Sequence, residues 1–268
     1  MPQYCENFNN INFGGVAPDG ETKITQNGRP VNMFFGQSAF AQFTTISEKS
    51  IVKIDEDVDL AIAAPFGCGI QTGAGAVLNT LHPKTSESIA IFGCGAVGMS
   101  AIMAAKVAGC HQIIAVGGTP KSLALAKELG ATDTVNRKEL ENETIAEAVA
   151  RVSHGGVDHA IDTSGNGNMI LNAIKSTCLH GRIVLLAPTG TLKDFNIGID
   201  VLMMYRTVIG CCEGDSIPKI FIPQLIQLYK EGRFPVDRII KTYPFEQLET
   251  ARDDSNHGKV IKAVVTMD

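Results

Sequence analysis

From Ser88 to Cys211 the chain alternates two textures. Short runs that are β-branched and almost wholly apolar recur at Ser88–Phe92, Gln112–Val116, Val157–Asp162, Arg182–Ala187 and Thr207–Cys211. Uninterrupted apolarity over five or six residues is what a strand buried on both faces requires. Between these runs lie Ala96–Ala108, Pro120–Leu129, Asn142–Val152 and Asn168–Ser176, whose spacing predicts helices. Thr119 followed by Pro120 supplies an N-cap and a first helical residue, and Gly130 a stop. Alternating β and α segments with right-handed crossovers predict a doubly wound parallel sheet.

The flanks read differently. Residues 1–38 are rich in Asn, Gly and Gln and show little periodicity. Alternation at Ala41–Ile46 and Ile51–Ile54 predicts two short antiparallel strands, and a helical stretch is expected from about Asp59. After Cys212, Ser216 is the expected cap of a helix that runs to Gly232, with a break at its internal prolines Pro218 and Pro223. A last strand is expected over Lys259–Met267. The division that follows is 1–69, 70–214 and 215–268, with the alternating unit inserted between two parts of one flanking domain.

Composition narrows the function classes. Hydrophobic residues are 44% and charged residues 19%, which excludes a disordered chain. With 23 Lys+Arg against 28 Asp+Glu and no basic cluster, nothing forms a footprint for nucleic acid. The richest apolar run, Ile89–Ala108, is interrupted by Gly93, Gly95, Gly98 and Lys106, so no membrane span is expected. The start, Met1–Asn7, lacks the features of a signal peptide, and a reducing cytoplasm is the expected compartment. Seven scattered cysteines without a C-x-x-C pair do not make a disulfide framework.

Chemistry enters with Gly93-Cys94-Gly95-Ala96-Val97-Gly98, placed between a strand and a helix. In that context the spacing is a dinucleotide fingerprint. Gly93 makes the tight turn, Gly95 admits a pyrophosphate to the backbone, and Gly98 lets helix and strand pack, while the helix N-terminus attracts phosphate. The second strand of such a unit ordinarily ends in an acidic residue that binds the ribose hydroxyls of NAD. Here Gly117 and Gly118 stand at that point, 19 and 20 positions beyond Gly98. With Thr119 and Lys121 beside them as donors, the reading is NADP(H), the alternative being a plain turn with NAD also accepted. Ser164, beyond the strand Val157–Asp162, is a further candidate cofactor contact.

Tyr4–Gly15, Gly67-Cys68-Gly69-Ile70-Gln71-Thr72-Gly73-Ala74-Gly75 and Glu213–Tyr229 resemble the zinc-dependent medium-chain alcohol dehydrogenases, most of all their aryl-alcohol branch. The resemblance covers the whole chain. It implies an α/β fold in which a Rossmann doubly wound parallel sheet is inserted in a partial GroES-like β-rich catalytic domain. It implies a hydride passed between NADP(H), or NAD, and an aryl or allylic alcohol–aldehyde pair, with zinc polarising the oxygen. By the same resemblance Cys68 is the third catalytic-zinc ligand, Thr72 lines the nicotinamide site, Lys262 touches the pyrophosphate, and Cys5 is the last of four structural-zinc cysteines. Gly67-Cys68-Gly69 argues against a zinc-free quinone-reductase-like member. The family's first two catalytic ligands and its other structural cysteines fall upstream of Met1, so the chain is expected to begin partway through its catalytic domain. None of His82, His111, His154, His159, His180 and His257 stands at ligand spacing from Cys68 or Cys5. A non-catalytic nucleotide-binding protein is therefore the alternative reading. The apolar strand Thr207–Cys211, if at a sheet edge, implies a homo-oligomer.

Overall fold

The computed structural model describes residues 2–17, 19–188 and 197–267. A short helix α1 (Phe8–Phe13) and a three-residue hairpin, β1 (Ile24–Gln26) with β2 (Arg29–Val31), open the chain. The expected strands at 41–46 and 51–54 are not formed. Phe43 is 92% exposed, and although Val52 and Ile54 pack partly against the main core, neither segment has a partner strand, without which alternation does not make a sheet.

Helix α2 (Leu60–Ala63) begins near the expected place, with the Asp59 carboxylate accepting from Ala61 N at 2.8 Å. A 3₁₀ turn and Cys68 lead into α3 (Gly69–Gly75), which continues as π-helical turns over Ala76–Leu81. The Arg182 guanidinium closes that end by donating to the Leu81 and Thr80 carbonyls at 2.6 and 2.9 Å.

The alternating unit follows as β3 (Ser88–Phe92), α4 (Ala96–Ala108), β4 (Gln112–Gly117), α5 (Pro120–Leu129), β5 (Asp133–Asn136), α6 (Ile145–Val152), β6 (Val157–Asp162), α7 (Gly167–Lys175) and β7 (Thr177–Leu185). A short α8 (Ile199–Met203) and β8 (Thr207–Gly210) complete it. The six strands lie in the order β5-β4-β3-β6-β7-β8, all parallel. The pleat of β3 sends Ile89 and Ile91 into one core, with α3, α4, α5 and a later helix. It sends Ala90 and Phe92 into the other, with α6 and α7. Helices on both faces of a parallel sheet are the doubly wound arrangement that the pattern predicts. β5 was not expected, because Asp-Thr-Val-Asn is short and polar. β8 is one edge strand and β5 the other.

Beyond the sheet, α9 (Pro218–Lys230) carries Pro223 inside it without breaking. One backbone bond is forfeited, and buried Phe221, Ile222, Leu225 and Ile226 hold the turns on either side. Ser216 does not cap this helix; its hydroxyl donates to the Gly214 carbonyl at 3.3 Å and closes the preceding turn. β9 (Ile240–Pro244), α10 (Leu248–Asn256) and β10 (Lys262–Thr266) form a parallel two-stranded sheet with its crossover helix. Among the described residues no single helix is long and apolar enough to cross a membrane.

Candidate functional site

Two depressions carry the candidate chemistry, the first at the C-terminal ends of the sheet strands and the second at Cys68. The first is a cavity of about 990 Å³ between the β3, β4 and β6 ends and the chain before β10. Its floor is the glycine turn. Gly93 has φ +111°, and a side chain there would strike Thr163 Oγ1. A Cβ on Gly98 would run into the Gly93 carbonyl, so α4 can lie against β3 only with glycine at 98. At Gly95 a Cβ would meet no protein atom within 4 Å, and φ −85° is open to any residue. Nothing inside the fold calls for glycine at 95, so the restriction comes from what approaches from outside. A dinucleotide pyrophosphate fits this cradle: bare backbone at Gly95, then Ala96 and Val97 opening the N-terminal turn of α4.

The cavity continues past Gly117, Gly118 and Thr119 to Ser122 and Arg137. The two glycines do different things. A Cβ on Gly117 would lie 2.8 Å from Leu123 Cδ2 and 2.9 Å from Cys94 Sγ, so residue 117 is glycine for packing. A Cβ on Gly118 would lie 3.2 Å from both Nε and Nη2 of Arg137. Thr119 caps α5, its Oγ1 accepting from Ser122 N at 3.3 Å. Lys121 is directed elsewhere: Nζ donates to the Lys259 carbonyl at 3.2 Å, and the residue does not line the cavity. On the opposite wall Ser164 does, its hydroxyl and amide donating to the buried Asp162 carboxylate at 2.7 and 3.2 Å.

The second depression, about 1280 Å³, runs from Cys68 toward Met33, Phe35, Phe40 and Phe43. Its inner end is built by two backbones in near contact. A Cβ on Gly73 would collide with the Val97 carbonyl, which seats α3 against α4. A Cβ on Gly75 would collide with Gly214, which brings the loop after β8 onto α3. In that loop Glu213, Gly214 and Asp215 are all left-handed, at φ +49°, +66° and +49°. For the two non-glycine residues this costs roughly 1–2 kcal/mol each. Asn79 Nδ2 to the Gly214 carbonyl at 3.0 Å, Thr80 Oγ1 to Asp215 at 2.8 Å, and the Tyr4 hydroxyl to Asp215 hold the loop in place. The bond to Asp215, with burial, pushes the Tyr4 hydroxyl up to about 12.

The result is a polar knot over Cys68. Cys68 Sγ lies 3.8 Å from Glu213 Oε1, while Gln71 Nε2 and Thr72 Oγ1 donate to Glu213 Oε2 at 3.2 and 3.4 Å. The crowded floor of the groove pushes the Cys68 thiol up, the Glu213 carboxylate adds to that, and the Lys262 ammonium works against it. Burial raises the Glu213 carboxyl against the bonds from Gln71, Thr72 and Cys68. Lys262 therefore stands in the Cys68 groove rather than in the lining of the glycine-turn cavity.

Metal ligands are sparse. Among the described residues no three His, Cys, Asp or Glu side chains converge. Among the described residues Glu213 is the one such side chain within hydrogen-bond reach of Cys68 Sγ, Cys212 is near enough to act on it by charge, and Cys5 and Cys68 are both exposed. Sequence reasoning did not single out Glu213 or Arg137. Glu213 had no motif role of its own, and Arg137 follows a strand that the pattern did not reveal, though it stands 20 residues beyond Gly117.

Comparison with known proteins supplies relatives along the whole chain. Residues 96–231 match the family model described as zinc-binding dehydrogenase. The geraniol dehydrogenase of Castellaniella defragrans is 35% identical over 267 residues, 98% of this chain and 71% of that protein. An alcohol dehydrogenase zinc-binding domain protein from Burkholderia ambifaria superposes with a TM-score of 0.94 at 40% identity, covering 99% of this chain and 72% of that one. For the benzyl alcohol dehydrogenase of Acinetobacter calcoaceticus the TM-score is 0.90 at 36% identity, covering 100% and 72%.

Proposed function

Because this chain belongs to the zinc-binding dehydrogenase family, we propose that it is an NADP(H)-preferring oxidoreductase acting on aryl or allylic alcohol–aldehyde pairs. The observation that carries the cofactor choice is the end of β4. Gly117, Gly118 and Thr119 offer no acidic group where NAD binders place one, and Arg137 lies against Gly118. The substrate class rests on the geraniol and benzyl alcohol specificities named for two relatives, and on the aromatic and apolar lining of the Cys68 groove.

When bound, the nicotinamide accepts or donates the hydride. The chain's residues then divide the remaining work. Gly93, Gly95 and the first turn of α4 receive the pyrophosphate, and the Asp162-anchored Ser164 lines the opposite wall. Cys68, Gln71 and Glu213 line the polar end of the groove where a substrate oxygen comes to rest, Thr72 bonding to Glu213 behind them, and Met33 and Phe35 line its apolar part. In this reading 1–69 and 215–268 form the substrate side and 70–214 the nucleotide side. A catalytic zinc needs three protein ligands and an open position, and the side chains around Cys68 do not by themselves fit it. That shortfall favours the second reading, a nucleotide-binding chain without turnover of its own.

The nucleotide half is tested by titrating NADPH and NADH against nicotinamide fluorescence. NADPH should bind more tightly, and Gly95→Val should abolish binding of both with the melting temperature unchanged. Equal affinities in the unaltered chain would remove the cofactor preference. Retained binding in Gly95→Val would mean that the glycine loop is only a turn.

A further inference from the structure

We infer that Arg137 is the residue that selects the phosphorylated dinucleotide, its guanidinium forming a fork for the 2′-phosphate over a turn kept bare by Gly118. The inference rests on the nucleotide-binding reading above and adds a specificity-determining residue to it.

Three observations lead there. First, Arg137 is placed by backbone. β5 pairs parallel with β4 so that Gly117 faces Asn136, and the Arg137 amide donates to the Gly117 carbonyl at 2.9 Å. Its position is therefore independent of its side chain. Second, the guanidinium lies on the Gly118 backbone, with Nε, Nη2 and Cζ at 3.2, 3.2 and 3.3 Å from where a Cβ would stand. A side chain at 118 would crowd it and make it give by a few tenths of an ångström, so Gly118 leaves room for the guanidinium over the turn. Third, Arg137 is exposed and has no ion-pair partner or side-chain hydrogen bond among the described residues. The acidic residue that lines the same cavity, Glu143, is already engaged by Arg151, at 2.8 and 3.2 Å.

An unsatisfied planar guanidinium at the end of the second strand's turn matches a dianionic phosphate in charge and in geometry. Thr119 and Ser122 line the same wall, their hydroxyls bonded to each other at 2.8 Å. Lys121, the cation that the sequence puts nearest the turn, is tied to the Lys259 carbonyl and takes no part.

The test compares Arg137→Met, Arg137→Lys and the unaltered chain in fluorescence titrations with NADPH and NADH, with displacement by 2′,5′-ADP and by 5′-AMP. Arg137→Met should weaken NADPH and 2′,5′-ADP by about 10- to 100-fold, the scale of one charge-assisted bond, and leave NADH and 5′-AMP within about twofold. Arg137→Lys should recover part of the NADPH affinity, because charge remains while the fork is lost. NADPH affinity unchanged in Arg137→Met overturns the proposal, and so does an equal loss for both nucleotides, which would make Arg137 an adenosine contact. An unaltered chain that binds neither nucleotide sinks the nucleotide-binding reading itself, and a chain that prefers NADH sinks the preference. Each of these is distinct from a failure at Arg137 alone.

Discussion

Single glycines separate what the fold needs from what a ligand needs. Gly117 and Gly118 are adjacent and identical in sequence, yet the contact each would make differs in kind. Gly117→Asp sets a Cβ against Leu123 and Cys94 inside the packing, and should cost about 1–3 kcal/mol of stability before it affects any nucleotide. Gly118→Asp places a carboxylate beside the Arg137 guanidinium, and should lower NADPH affinity at least tenfold while sparing NADH. Melting temperature and paired titrations on the two variants check this; a Gly117→Asp chain as stable as the parent would mean that the wall yields easily. The sequence shows the missing acid but not this division of labour, because both glycines satisfy the same motif. Arg137 was hidden for a related reason: its partner is a neighbour across strands, and register cannot be read from one strand at a time.

At the scale of elements, the N-terminal ends of β3 and β6 are stitched by side-chain hydrogen bonds. Glu87 Oε2 meets the buried His159 Nε2 at 2.8 Å, and the Asp158 carboxylate accepts from Ser88 N and Oγ, each at 2.8 Å. The bond from His159, then that from the Lys84 amide, holds the Glu87 carboxyl below its ordinary value. At Asp158 burial opposes ionisation, but the Ser88 bonds prevail and its carboxyl is lowered too. A carboxyl lowered in the fold contributes stability above its unfolded value and loses it as pH falls through the folded one. The chain should therefore lose melting temperature on acidification below about pH 4.5, the ordinary Glu value. Glu87→Gln should flatten part of that slope, and melting curves from pH 7 to 3 measure it; an unchanged slope would rule the pair out as a source. Elements built from dense apolar runs were legible, α4 and α5 to the residue. The strands expected at 41–46 and 51–54 were not formed: Val52 and Ile54 do rest on the core, but alternation makes a strand only where a partner takes up its backbone bonds.

For the whole molecule, the doubly wound parallel sheet and the glycine cradle were readable from the pattern, though not the strand order or β5, whereas the Cys68 groove required the flanks to be seen in place. Its inner end depends on Gly75 lying against Gly214, a contact that no local spacing encodes. The donor inventory at Cys68 bears on the metal. With no three ligand-type side chains converging among the described residues and Glu213 the one within hydrogen-bond reach of Cys68, the 268-residue chain should hold well under one zinc after dialysis, and Cys68→Ser should not change that content. Elemental analysis decides it: stoichiometric zinc that disappears in Cys68→Ser would show that Cys68 is a ligand in a site completed by donors other than Glu213, and would remove the support for the second reading.

The knot over Cys68 also has a position in time. Cys68 and Glu213 are 145 residues apart in the chain, and Tyr4 and Asp215 are 211 apart. The neighbouring strands β3 and β4, by contrast, are joined by a single helix. Loops that long close only once the intervening chain is compact, because the entropy of closure is met before the contact can return anything. The separations predict an order of assembly: the glycine cradle, made within one run of strands and helices, should gain protection from hydrogen exchange during refolding before the three left-handed residues over Cys68 do.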